Sequence, residues 1–183
     1  MATNRTDDSL TDRITPVITD EEKILNAQMY KNAGNECYKT KDYRGAIGKY
    51  HRAILQLKGV GQSANLGRLL GVEDSHTLDN TLTPKLHEQL QALKMDCYNN
   101  LAACLLQQGE PNYKRISEYC DNVLEISPEN VKASYRKGVA LYHLGKYDDA
   151  EEILKHIYKK GRFNMVPKPI IYFTSEKIHV YTA

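Results

Sequence analysis

Small and large residues recur in one frame along this chain, and that frame constrains the fold more than any other feature. In its two regular copies, a unit of about 34 residues has small residues at positions 8 and 20 and large ones at positions 17 and 24. In the order 8, 17, 20 and 24, an early copy reads Gly34, Tyr43, Ala46 and Tyr50. A late copy reads Gly138, Tyr147, Ala150 and Leu154. Small residues let two helices approach closely, and large ones fill the space between hairpins, so the frame predicts stacked helical hairpins.

A middle copy of the frame is less regular than the other two. Its first helix places Tyr98 at position 4, whereas its second helix, counted back from Pro128 at position 32, places Tyr113 at position 17. The two counts differ by two residues, so we expect the turn at residues 108–111 to be longer than standard. Ile116 falls at position 20, where a smaller residue is usual.

A period of about 34 with this pattern of small and large residues is the signature of the tetratricopeptide repeat. We therefore predict an all-α solenoid of three hairpins, which would occupy residues 21–160. The predicted hairpins span residues of about 24–57, 85–126 and 130–158. Capping residues support two of the helix starts, one at Thr19 and one at Thr83, which precedes Pro84.

The remaining segments lack a helical period. Residues 1–20 are expected to be a disordered leader, and the glycine- and asparagine-containing residues 58–84 a long loop. Residues 161–183 form an atypical tail, because Pro167 and Pro169 interrupt any helix that could cover the last hairpin. We expect the tail to be disordered or extended, and we favour disorder.

Composition excludes several classes of function. The net charge is +2, and no arginine-rich run or RNA-binding motif is present, so we expect no nucleic-acid partner. No apolar run is long enough to cross a membrane, and no signal peptide is evident. The four cysteines and six histidines show no metal-ligand spacing, so we expect reduced core thiols, no metal, no cofactor and no catalytic residue. The expected location is cytoplasmic, with the nucleus left open.

Five polar residues fall at positions of the first helices that line the concave groove of such a solenoid. They are Lys31, Asn35, Asn100, Lys132 and Arg136. Spacing of i, i+4 puts the first two on one helix face, and the last two likewise. Arginine offers a two-pronged donor, lysine a compact charge, and asparagine both a donor and an acceptor, which together suit the two carboxylates of a peptide ending in Asp.

The segments that carry these residues resemble a known family. They are MYKNAGNECY, DCYNNLAACLLQ, NYKRISEYC and KASYRKGVALYHL. They are similar to the tetratricopeptide repeat protein 9 family over roughly residues 24–158, and the five polar residues look like the two-carboxylate clamp of tetratricopeptide co-chaperones. The resemblance implies an adaptor whose groove binds the acidic Glu-Glu-Val-Asp tail of Hsp90 or Hsp70. It implies clamp roles for all five residues.

Other interpretations remain open at this point. The groove cations could be an ordinary solvated helix face, and the chain a scaffold for a different peptide or protein partner. An association with peptidyl-prolyl isomerisation is a further alternative, although the chain has no room for an isomerase domain. Asn99 could point towards a neighbouring helix or solvent. The sequence does not choose between Hsp90 and Hsp70, and it leaves the oligomeric state open.

Overall fold

The computed structural model describes residues 18–61 and 82–159, together with the backbone of 171–174 and 177–180. The described part contains six helices in three consecutive hairpins, which confirms the predicted all-α tetratricopeptide solenoid. They are α1 (Asp20–Lys39), α2 (Tyr43–Lys58), α3 (Pro84–Leu106), α4 (Tyr113–Ile126), α5 (Val131–His143) and α6 (Tyr147–Lys159). Each helix packs against the next one along the chain, and α3 also contacts both α1 and α5.

Side chains just outside the helices fix where they begin. The Thr19 hydroxyl accepts from the Glu22 backbone N–H at 3.2 Å, and the Glu22 carboxylate accepts from the Thr19 backbone N–H at 2.9 Å. This reciprocal pair satisfies two backbone donors that no helical carbonyl can reach. The Thr83 hydroxyl caps α3 by accepting from the Leu86 backbone N–H at 3.3 Å, with Pro84 as the first helical residue. Both predicted helix starts are confirmed.

Two glycines allow the close helix contacts that the frame predicts. A Cβ atom on Gly34 would lie 2.6 Å from Cε1 of Tyr50, and one on Gly138 would lie 2.6 Å from Cγ of Leu154. Such distances are far inside van der Waals contact, so only glycine fits without displacing the neighbour. Tyr50 and Leu154 are themselves almost fully buried. Positions 8 and 24 of the frame are thus paired across each regular hairpin.

The middle hairpin departs from this pattern where the sequence predicts that it should. Residues 107–112 connect α3 to α4, whereas residues 40–42 and 144–146 suffice in the other hairpins. Ile116 is fully buried at the position that Ala46 and Ala150 hold elsewhere. The longer turn is therefore confirmed, and it accompanies the larger residue in the core of this hairpin.

The third hairpin is less well covered than the first two. A large cluster of buried side chains joins α1 to α5, while a smaller one, which includes Tyr135 and Ile157, lies between α5 and α6. Tyr147 is 61% exposed, although its frame position predicts a core residue. The reason is that no helix follows α6 among the described residues, so position 17 of the last repeat has no next hairpin to fill against.

Part of the tail is extended. Strands β1 (Ile171–Thr174) and β2 (Lys177–Val180) pair antiparallel, with Ile171 opposite Val180. This differs from the disorder that we favoured, because the two segments are rich in β-branched and aromatic residues that favour strands. The predicted leader up to Val17, residues 62–81 of the predicted loop, and tail residues 160–170, 175–176 and 181–183 lie outside the described residues.

Candidate functional site

The five polar residues predicted from the frame all lie on the first helices of the hairpins. Lys31 and Asn35 are on α1, Asn100 is on α3, and Lys132 and Arg136 are on α5. We call the side of α1, α3 and α5 that carries these residues the groove face. Since α3 contacts both α1 and α5, the three helices that carry the five residues lie next to one another.

Asn35 is at the centre of a hydrogen-bond network between α1, α2 and α3. Its Oδ1 accepts from the Tyr50 hydroxyl at 2.8 Å and from Nδ2 of Asn100 at 3.1 Å. Burial raises the pKa of Tyr50, so its hydroxyl keeps the proton that it donates here. The network uses the oxygen of Asn35, whose Nδ2 group carries two further N–H donors.

Lys31 is held on the groove face by a carboxylate of the neighbouring helix. Its Nζ donates to Oδ2 of Asp96 on α3 at 2.8 Å. The Lys31 side chain is only 15% exposed, whereas that of Asp96 is 49% exposed. Asp96 was missed by the sequence reasoning, although a signal existed: it occupies position 2 of the middle repeat, the position that Lys132 occupies in the third.

Arg136 is tied to α3 from the other side. Its Nη1 donates to Oδ1 of Asn99 at 3.0 Å. Burial lowers the pKa of Arg136, but a guanidinium stays protonated at any pH that proteins tolerate. Asn99 therefore points towards a neighbouring helix, which was one of the two alternatives for it. It connects Arg136 to the helix that also carries Asn100.

Lys132 differs from the other four residues. It is exposed on α5, and no side-chain partner for it occurs in the described part of the chain. It lies one helical turn before Arg136, so both side chains project from the same side of α5. A ligand carboxylate at this point would meet a hydrated ammonium group that needs no rearrangement.

Comparison with known proteins identifies the same kind of helical repeat. The sequence pattern of the tetratricopeptide repeat family matches residues 105–163. Tetratricopeptide repeat protein 9C of Xenopus tropicalis is 44% identical over 131 residues, which are 72% of this chain and 71% of that protein. The chain belongs to the tetratricopeptide repeat protein 9 family.

Two solved structures are similar to this member of the family. The C-terminal TPR-containing domain of an FK506-binding protein of Plasmodium falciparum superposes with a TM-score of 0.60 at 26% identity, covering 81% of this chain and 83% of that one. A multi-domain immunophilin from Arabidopsis thaliana gives a TM-score of 0.57 at 28% identity, over 75% of this chain and 46% of that one. The Plasmodium match is a TPR-containing domain, and the Arabidopsis match is part of a multi-domain protein.

A pocket of about 440 Å³ adjoins the groove face between the N-terminal halves of α1 and α3. Apolar side chains form much of its wall, among them Ile24, Leu86 and Leu93. Lys31 and Asp96 line it as well, so their ion pair lies where the pocket meets the groove face. This family member thus places an apolar surface directly beside a charged one.

The remaining reactive side chains are placed as core residues. Burial raises the pKa values of Cys97, Cys104 and Cys120 to about 12, which keeps these thiols protonated at neutral pH. All four cysteines are free thiols, and Cys37 is half-buried. No group of metal-binding side chains occurs in residues 18–61 and 82–159. The described helices include none with the length and apolar character needed to span a lipid bilayer.

Proposed function

We propose that this protein is a non-catalytic adaptor whose groove face binds the acidic C-terminal tail of Hsp90 or Hsp70. The observation that carries the proposal is the direct contact between Asn35 and Asn100 at 3.1 Å. Lys31 lies one turn before Asn35 on α1, and Arg136 bonds to Asn99, the residue before Asn100. With Lys132 on α5, the three first helices carry three cations and two carboxamides that support the proposal.

This set of side chains suits a peptide that ends in Asp. Its terminal carboxylate and its side-chain carboxylate offer four acceptor oxygens, which the lysines, the arginine and Nδ2 of Asn35 can meet as donors. Hydrogen bonds to charged groups contribute about 1.5–3 kcal/mol each. After the costs of ordering the peptide, several of them support a Kd of about 1 μM, near −8 kcal/mol.

The similar structures add support of a different kind. The Plasmodium match is the C-terminal TPR-containing domain of an FK506-binding protein, and the Arabidopsis match covers 46% of a multi-domain immunophilin, so in both cases a fold of this shape is part of a larger protein. We propose that this chain serves in the same way as a docking module. The free thiols fit a reducing compartment, so we place it in the cytoplasm or nucleus.

One observation favours a second candidate, a scaffold for a different partner. Lys31 already has a carboxylate partner in Asp96, so one of the three cations is neutralised before any ligand arrives. A groove with a reduced positive charge could bind a peptide through its backbone and apolar side chains alone. Such a partner would not need a free C-terminus.

Calorimetric titration with a pentapeptide that ends in Glu-Glu-Val-Asp tests the two candidates. We expect the free acid to bind at least tenfold more tightly than its C-terminal amide, a difference of about 1.4 kcal/mol. Lys132→Ala and Arg136→Ala should each lower the affinity for the free-acid peptide by at least tenfold. Lys114→Ala, which removes an exposed cation from α4, is the matched control and should bind like wild type. Equal affinity for acid and amide would instead support the scaffold for a different partner.

A further inference from the structure

The ion pair between Lys31 and Asp96 connects α1 to α3 at one of the cations that the proposed function assigns to the peptide's carboxylates. The two side chains belong to α1 and α3, and the ammonium and carboxylate lie 2.8 Å apart. Lys31 is thus a cation of the groove face that is already bound to an anion. The anion comes from this chain itself, at a residue to which neither the frame nor the resemblance assigns a role.

We infer that Asp96 is an internal carboxylate that occupies the Lys31 subsite of the free protein and must be replaced by the carboxylate of an incoming peptide. The inference rests on the proposed function, and it adds a residue that determines affinity and ligand class. Asp96 does not itself bind the peptide. It competes with the peptide for one ammonium group.

The burial of the two partners decides which of them moves. The Lys31 side chain is 15% exposed, so its ammonium group is poorly hydrated and needs a counter-charge nearby. Asp96 is 49% exposed, and its carboxylate can therefore be rehydrated when it turns away from α1. A carboxylate must remain at Lys31, but that carboxylate can be exchanged. Glu21 and Gln28 line the same pocket. A displaced Asp96 side chain would therefore remain in a region that contains one other carboxylate, that of Glu21.

This competition has a consequence for the kind of peptide that binds. Replacing Asp96 by a single terminal carboxylate exchanges one ion pair for another, and the net gain is small. A peptide that ends in Asp brings a second carboxylate, and we expect that group to bind Lys132, which is exposed and has no side-chain partner within residues 18–61 and 82–159. Asp96 therefore selects for peptides with two carboxylates at their end, and its removal should relax that selection.

The Asp96→Asn variant tests the inference, because asparagine keeps the shape and removes the charge. We expect Asp96→Asn to bind the free-acid pentapeptide about three- to tenfold more tightly than wild type. A peptide that ends in Glu-Glu-Val-Ala, with one carboxylate at its terminus, should gain at least as large a factor. Glu88→Gln removes a charge from an exposed position of the same helix and is the matched control, with an expected affinity equal to that of wild type.

The experiment separates failure of the inference from failure of the proposed function. If wild type prefers the acid over the amide but Asp96→Asn binds the acid no more tightly than wild type does, the inference is wrong and the function stands. If no variant distinguishes acid from amide, both are wrong. In the Lys31→Gln background, Asp96→Asn should no longer raise affinity. A gain that persists there would show that Asp96 acts through long-range charge and not through Lys31.

Discussion

The two sides of the groove face hold their polar residues in different ways. On the α1 side, Asn35 is fixed by two hydrogen bonds and Lys31 by an ion pair to α3. On the α5 side, Arg136 has a single bond to Asn99, and Lys132 is exposed with no partner in the described part of the chain. One side is thus part of the packing between hairpins, while the other has a cation available to a ligand. A residue on the α1 side should affect stability and binding together, whereas Lys132 should affect binding alone.

The close approach at Gly34 gives the largest expected effect on the α1 side. Gly34→Ala would place a methyl group 2.6 Å from the buried Tyr50 ring, which anchors Asn35. We expect overpacking to lower the free energy of unfolding by about 2–3 kcal/mol, measured by urea denaturation. Gly48→Ala is the control, since a Cβ atom added at Gly48 would have no neighbouring side chain within 4 Å. This substitution should stabilise α2 by about 0.5–1 kcal/mol. If Gly34→Ala were as stable as Gly48→Ala, the frame would not explain the packing of this hairpin.

Asn35→Ala should show that stability and binding are coupled on the α1 side. It removes the acceptor for the Tyr50 hydroxyl and for Nδ2 of Asn100, which leaves two partly buried donors without a protein partner. We expect a loss of about 1–2 kcal/mol in the free energy of unfolding and a weaker affinity for the free-acid peptide. Thermal denaturation and calorimetry measure the two effects. Unchanged stability would show that the network is incidental.

Lys132→Ala is the counterpart on the α5 side. Because the side chain is exposed and has no partner among the described residues, its removal should change the free energy of unfolding by no more than about 0.5 kcal/mol. The affinity for the acid peptide should nevertheless fall by at least about tenfold. The dependence of affinity on salt should also become weaker, since an exposed charge is screened most. A variant that lost stability and binding together would remove the distinction between the two sides.

His51, on the second helix of the first hairpin, is a reference residue that should affect stability without affecting peptide binding. Burial, together with the nearby cations Arg115 and Lys58, lowers the pKa of His51 on α2. A histidine with a lowered pKa in the folded state takes up its proton more readily when unfolded, so its contribution to stability is present above about pH 6.5 and is lost as the pH falls. His51→Gln should therefore flatten the decline in stability between pH 7 and 5. Peptide affinity at pH 7 should not change, and a large change would extend the site beyond the groove face.

Contacts between residues that are close in sequence could be predicted, whereas contacts between side chains that are far apart in sequence could not. The hairpins follow from local rules, since Gly34 and Gly138 mark close contacts within a single repeat. The positions of the five groove residues follow from the same count. The partners of these residues do not, because Asp96 and Asn99 act across helices that are far apart in sequence, and the count says nothing about side-chain direction. The exposure of Tyr147 was missed because the frame assumes that a further hairpin follows.

The central claim is that the Asn35–Asn100 pair receives a peptide's terminal carboxylate. Nuclear magnetic resonance of the side-chain Nδ2 groups tests it most directly, with the free-acid and amide forms of the Glu-Glu-Val-Asp pentapeptide added in turn. We predict that the acid shifts the Nδ2 signals of Asn35 and Asn100 strongly and that the amide shifts them far less. Equal shifts with both peptides, or shifts confined to residues outside the groove face, would contradict the account.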